Sequence, residues 1–217
     1  MARTSVHFGP GEGLRAVGLD RPARARQLLL EPVLISTLVV ALAEIGDRTQ
    51  LLAIVLATRF RRPVPIILGI LVATLANHGL AAVVGYLVGD ILKGHWFQYV
   101  VALSFFATAI WTLIPDKEDD LPKETSHFGV FVTTVLTFFV VEMGDKTQIA
   151  TVALAARFHQ ILLVAVGTTL GMMAANIPAV LLGEAATRIV PLKWVRIGAA
   201  LVFAGLGVWT FIEAVRA

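Results

Sequence analysis

The sequence predicts an all-α polytopic membrane protein, six transmembrane helices arranged as two inverted three-helix repeats, and three observations carry that prediction. The first is composition: 57% of the 217 residues are hydrophobic and 15% charged, with a mean hydropathy of +0.81, which is too apolar for a soluble chain of this size. The second is the recurrence of apolar runs of spanning length separated by short polar breaks. The third is self-similarity at one offset. Glu44 and Glu142, Asp47 and Asp145, Gly69 and Gly167, Gly85 and Gly183, and Trp111 and Trp209 all stand 98 positions apart, the mark of a duplicated unit.

Residues 1–30 read as a flexible N-terminal tail, with five arginines, two prolines and no helical periodicity. The basic residues, the apolar run from Val33 and the triplet Ala41-Leu42-Ala43 imitate a secretory signal with its cleavage site. Cleavage there would cut the first span in half, and the same motif recurs downstream, so the segment is expected to stay. Residues 31–114 form the first three-helix repeat, with spans at about 33–57, 65–91 and 96–114. An acidic linker, 115–127, contains Asp116-Lys117-Glu118-Asp119-Asp120, and residues 128–217 form the second repeat, with spans at about 128–156, 160–183 and 193–214. Each run reaches the roughly 20 residues needed to cross about 30 Å of hydrocarbon. The breaks hold turn formers and charge: Arg59 to Pro63, Lys93-Gly94-His95, Arg157 with His159, and Thr187 to Lys193 around Pro191. An odd number of spans per repeat forces the second copy to enter the bilayer from the opposite side. Such inverted repeats are typical of transporters that open a midplane site alternately to each side. Lysine and arginine divide eight against eight between the two sets of loops and tails, so the positive-inside rule does not set the orientation.

Several chemistries are excluded at once. The chain has no cysteine, which removes disulfides, thiolate metal sites and cysteine nucleophiles. It has no His-Glu-x-x-His and no nucleophile paired with a base, so it is not expected to be an enzyme and no cofactor is expected. The isoelectric point near 9.6 reflects a net charge of only +3 carried in tails and loops, and no nucleic-acid partner is inferred from it.

The chain is organised around Glu44-Ile45-Gly46-Asp47-Arg48-Thr49-Gln50 and its near copy Glu142-Met143-Gly144-Asp145-Lys146-Thr147-Gln148. Each puts three charges in the middle of an apolar span, where even a lenient scale charges roughly 2.5–3.5 kcal/mol per ion. On a continuous helix Glu44, Asp47 and Gln50 share one face, as do Glu142, Asp145 and Gln148. Gly46 and Gly144 permit a kink or a freed carbonyl. Four carboxylates against Arg48 and Lys146 leave two negative units, the charge of one divalent cation or two protons. Carboxylate and amide oxygens suit hard cations such as Mg²⁺, Ca²⁺ or Mn²⁺ better than zinc or copper. The structural alternative is that Arg48 and Lys146 pair with the acids and lock the bundle. Asn77 and Asn176 lie within one residue of the common offset, and Asn77-His78-Gly79 and Asn176-Ile177-Pro178 are places where a helix is expected to break and present an amide. His78 has no evident counterpart and reads as an interhelical hydrogen-bonding residue. Gly198, Gly205 and Gly207 read as close-packing surfaces.

Two copies of Glu-x-Gly-Asp-(Lys/Arg)-Thr, one per half of a short six-span chain, closely resemble the GDT family of cation/proton antiporters. The resemblance runs from Val33 onward, and both motifs are complete. It implies exchange of Mn²⁺, and of Ca²⁺ as second candidate, for protons, with Glu44, Asp47, Glu142 and Asp145 matching the family's cation-site acids. Gln50, Gln148, Asn77 and Asn176 are the expected completion of the shell. Divalent cations, protons and the bilayer are the expected partners, with a homo-oligomer left open. An exporter of a small organic cation, such as a basic amino acid, and a passive cation channel are the alternatives the same acids would serve.

Overall fold

The computed structural model describes residues 21–92, 95–114, 129–183 and 192–216, and every element in them is helical. In chain order these are α1 (Arg21–Glu44), α2 (Arg48–Phe60), α3 (Pro63–Ile91), α4 (His95–Thr112), α5 (Val130–Glu142), α6 (Lys146–Phe158), α7 (Ile161–Leu182) and α8 (Leu192–Arg216). The expected acidic linker and the first twenty residues of the expected tail lie outside the described residues. The chain divides into two compact units at Pro32. Residues 21–31 of the first unit are helical, so the expectation of an irregular tail through residue 30 is corrected. Alanine, leucine, arginine and glutamine dominate from Ala23 to Leu30, all strong helix formers, and Pro22 falls in the first turn, where its missing N–H removes no bond.

Within the second unit, Pro32–Ala217, the largest departure from the sequence reading is at the motifs. The expected spans 33–57 and 128–156 are each two helices, broken between Glu44 and Arg48 and between Glu142 and Lys146. Glu44 and Asp47 therefore do not share a helical face: each glutamate ends one helix and each aspartate caps the next. Gly46 and Gly144 cause the break, with φ of +78° and +79°, the left-handed region that costs an L side chain about 1–2 kcal/mol. The turns close with Asp47 N–H donating to Glu44 O at 3.0 Å and Asp145 N–H to Glu142 O at 3.1 Å. Leu29–Glu44 and Arg48–Phe60 meet at 69°. The breaks expected at Asn77 and Asn176 do not occur, since α3 and α7 run through both positions, with Pro178 carried inside α7.

The helices that follow the two motifs match one another. α2 and α6 are both 13 residues long, and both end in left-handed caps, Arg61 at φ 51° and His159 at φ 50°. The packing is crossed. Gly69 of α3 lies against Thr134 and the Phe131 carbonyl of α5, and Gly167 of α7 lies against Ser36 and the Val33 carbonyl of α1, so close that a Cβ would come within 2.7 Å at either place. Each half thus supplies the surface that its partner half packs on. Gly85 and Gly183, by contrast, share no role: Gly85 abuts the Val152 carbonyl, whereas Gly183 closes α7. α4 and α8 pair with each other through Tyr99 on Phe211, at 5.5 Å between centroids, and through Gly207 on the Phe106 ring. A Cβ added to Gly198 or Gly205 would meet nothing within 4 Å among the described residues, which corrects their reading as close-packing positions.

Phe105 and Phe203, again 98 apart, are fully buried in one apolar cluster, and a second joins Leu52, Leu56, Ile66 and Ile70 to Phe138 and Val180. Large apolar side chains also cover the outside, among them Leu38, Leu68, Leu103, Leu136 and Leu201, as a chain solvated by lipid requires. Among the described residues α3, α7 and α8 are long and apolar enough to cross a membrane, the bent pair α1–α2 makes a fourth such unit, and Trp96–Thr112 and Val130–Glu142 are apolar but shorter.

Candidate functional site

The helix breaks bring the two motifs together, with their acids out of solvent. Glu44, Asp47 and Thr49 are 0% exposed, and Glu142, Asp145, Lys146 and Thr147 are no more than 3% exposed. The cations are exchanged between motifs: Arg48 Nη2 lies 3.0 Å from Asp145 Oδ1, and Lys146 Nζ contacts Asp47 Oδ1. This crossing follows from the packing, because each break places its aspartate at the start of a helix and its cation one residue on, facing the other half. The lock foreseen as an alternative exists, and its acids are the two aspartates.

The glutamates are held differently. Thr49 donates its hydroxyl to Glu44 Oε1, and Asn176 Nδ2 donates to the same oxygen at 3.0 Å. In the other half Thr147 donates to Glu142 Oε1, and His78 Nε2 lies 3.2 Å from that oxygen. No cation contacts either glutamate among the described residues, and Glu44 Oε2 and Glu142 Oε2 are buried with no hydrogen-bond partner there. The two acids left without a cationic partner are therefore Glu44 and Glu142. A buried oxygen with an unused lone pair costs about 1–3 kcal/mol, and one stands in each half.

Gln50 and Gln148 brace the turns. Gly46 N–H donates to Gln50 Oε1 at 2.8 Å and Gly144 N–H to Gln148 Oε1 at 2.6 Å, so both expected ligand oxygens are engaged by backbone. Gln148 Nε2 donates to Asn77 Oδ1 at 3.0 Å, and Gln50 Nε2 donates to the Ala175 carbonyl at 3.2 Å. Asn77 thus corresponds to Ala175, and the residue that corresponds to Asn176 at the 98-residue offset is His78. The reading of His78 as lacking a counterpart is corrected, as is the pairing of Asn77 with Asn176. Counting the offset from Asn176 would have found it. Thr49 and Thr147 were also missed as site residues, although the motif repeats them. Among the described residues no three His, Asp or Glu side chains are gathered closely enough to hold one metal ion, and the acids fall in two groups, one per motif, joined by the crossed pairs of Arg48 and Lys146.

The halves differ at their turns. Leu192 of α8 covers Gly46, and Arg196 Nη2 reaches the Gly46 carbonyl at 3.5 Å, whereas a Cβ added to Gly144 would meet nothing within 4 Å among the described residues.

A lipid-facing helical shell around a buried, duplicated acid cluster defines a multi-pass integral membrane transport protein. A family model described as "Divalent cation/proton antiporter GDT1" matches residues 32–120 and again 130–217, once on each half. The chain belongs to this family. A protein of Vibrio cholerae (serotype O1, strain ATCC 39541 / Classical Ogawa 395 / O395) named "Putative manganese exporter" is 50% identical over 163 residues, 75% of this chain and 81% of that protein. "GDT1-like protein 5" of Arabidopsis thaliana is 24% identical over 214 residues, 81% of this chain and 93% of that protein. A GDT1-like protein of Synechocystis is 28% identical over 143 residues, 55% and 67% of the two chains. No solved structure matches the chain significantly.

Proposed function

We infer that this protein exchanges a divalent cation, Mn²⁺ first and Ca²⁺ second, for protons, through six spans arranged as two inverted three-helix repeats. The spans are α1–α2, α3, α4, α5–α6, α7 and α8, three per half. The observation that carries the reading is the division of labour among the acids: the aspartates are neutralised by the crossed Arg48 and Lys146, while the glutamates keep an unpartnered, buried oxygen each. Glu44 and Glu142 take up either protons or the cation. The aspartates join them when the cation draws them off Lys146 and Arg48, which then balance the charge. Carboxylates must be deprotonated to bind a metal, so loading the cation releases protons, and this competition couples the two fluxes. The family and the Vibrio relative's name support the divalent substrate and manganese. The covered turn at Gly46 and the open one at Gly144 suit a carrier that exposes its centre to one side at a time.

The test is flux in liposomes. Mn²⁺ movement is expected to follow an imposed opposing pH gradient and to vanish in Glu44→Gln and Glu142→Gln. Movement that ignores the pH gradient would instead identify a passive channel.

A further inference from the structure

The two glutamates are held in matching ways, each by a motif threonine and by one side chain from the other half, and the chemistry of that second side chain differs. Where the Glu44 half has Asn176 on α7, the Glu142 half has His78 on α3: Asn176 Nδ2 donates to Glu44 Oε1, and His78 Nε2 lies 3.2 Å from Glu142 Oε1. Both residues are 0% exposed. Each leaves its second polar atom, Asn176 Oδ1 or His78 Nδ1, buried with no hydrogen-bond partner among the described residues. A neutral imidazole that donates from Nε2 carries a bare lone pair on Nδ1. An interhelical hydrogen bond alone needs only the Nε2 side, and a fully buried ring with an idle second nitrogen is an expensive way to make one. On these four side chains, the buried lone pairs left without a partner among the described residues are Glu44 Oε2, Asn176 Oδ1 and Glu142 Oε2, all oxygen, and His78 Nδ1, a nitrogen.

We propose that His78 is a nitrogen ligand of the transported cation at the Glu142 half-site and makes the protein select transition-metal divalent ions over Ca²⁺ and Mg²⁺. The inference rests on the cation-exchange reading given above. Ca²⁺ and Mg²⁺ are bound almost wholly by oxygen, and an imidazole in the shell gives them little. Mn²⁺ and its neighbours accept imidazole. A single nitrogen among carboxylates falls short of the histidine- and thiolate-rich sets that hold zinc or copper, and so leaves a weakly binding ion free to depart.

The experiment uses the full-length purified protein. Mn²⁺ bound to the wild type, read by electron spin-echo envelope modulation, is expected to show ¹⁴N coupling that is absent from His78→Asn, the substitution that copies the other half. In titrations of both proteins, the ratio of Mn²⁺ to Ca²⁺ affinity is expected to fall at least tenfold in His78→Asn. The reciprocal Asn176→His is expected to raise that ratio. Mn²⁺ bound to the wild type without ¹⁴N coupling, or an affinity ratio unchanged by His78→Asn, overturns the assignment and leaves His78 as a hydrogen-bonding residue, with cation exchange intact. Failure of Mn²⁺ to bind the wild type at all overturns both readings. If His78→Asn does not fold, the wild-type spectrum alone decides.

Discussion

At the scale of single residues, acids of similar chemistry carry different loads. Asp47 neutralises Lys146, which is 3% exposed, and Asp145 neutralises Arg48, whose side chain is 26% exposed. Removing the partner of a buried ion costs on the order of 3–5 kcal/mol, and less where water reaches it. Asp47→Asn is therefore expected to destabilise the protein more than Asp145→Asn, as ranked by thermal unfolding in detergent; equal losses would count against the crossed pairing. Glu44 and Glu142 have no cation to abandon, and an amide oxygen still accepts from Thr49 or Thr147. Glu44→Gln and Glu142→Gln are expected to fold near the wild-type melting temperature and to lose stabilisation by Mn²⁺. That stabilisation amounts to about 2.7 kcal/mol when the metal stands at 100 times its Kd.

At the scale of elements, the helix breaks are the devices that build the site. A continuous helix through either motif would satisfy more backbone hydrogen bonds but would keep each aspartate away from the other half's cation. The turns at Gly46 and Gly144 share one backbone conformation and differ in surroundings: a Cβ on Gly46 would lie 2.8 Å from Leu192, and one on Gly144 meets nothing within 4 Å among the described residues. Both alanine substitutions incur the left-handed cost of about 1–2 kcal/mol. Gly46→Ala additionally has to displace the Leu192 side chain. Gly46→Ala is expected to lower stability further than Gly144→Ala, and a chemical-denaturation comparison that finds them equal would show that Leu192 yields freely.

At the scale of the whole molecule, inversion and coupling make separate predictions. Arg61 and His159 are exposed caps at equivalent positions, so an inverted repeat places them on opposite sides of the membrane. The native chain has no cysteine, and single Arg61→Cys and His159→Cys variants are expected to react with an impermeant maleimide from opposite faces of oriented vesicles. Labelling from one face would end the inverted arrangement. Coupling predicts that Mn²⁺ affinity tightens as pH rises, because the carboxylates that ligate it must first lose their protons. The sign follows directly: protons compete, so binding weakens as pH falls, and calorimetry across a pH series in buffers of differing ionisation heat should register proton release. A pH-independent affinity would remove the exchange mechanism.

What the sequence determined by itself was whatever depends on local pattern: the helical class from hydropathy, most helix ends from Pro63, Gly183 and the charged breaks, and the duplication from residues 98 apart. It also named the four acids, because a charge amid apolar residues is expensive wherever the chain goes. The tertiary structure decided which acid meets which cation. Asp47 with Lys146, Arg48 with Asp145 and His78 with Glu142 join positions roughly a hundred or fewer residues apart on different halves, and no spacing within one helix encodes such contacts. The helix breaks, foreshadowed by the glycines, are closed by groups of their own motifs, with Gln50 and Gln148 accepting from the glycine N–H groups, while the partners of Arg48 and Lys146 come from the other half. The equivalence of His78 with Asn176 was arithmetically present in the chain, but it acquired meaning from the geometry that set each beside the other half's glutamate, since contacts between halves are defined only in space.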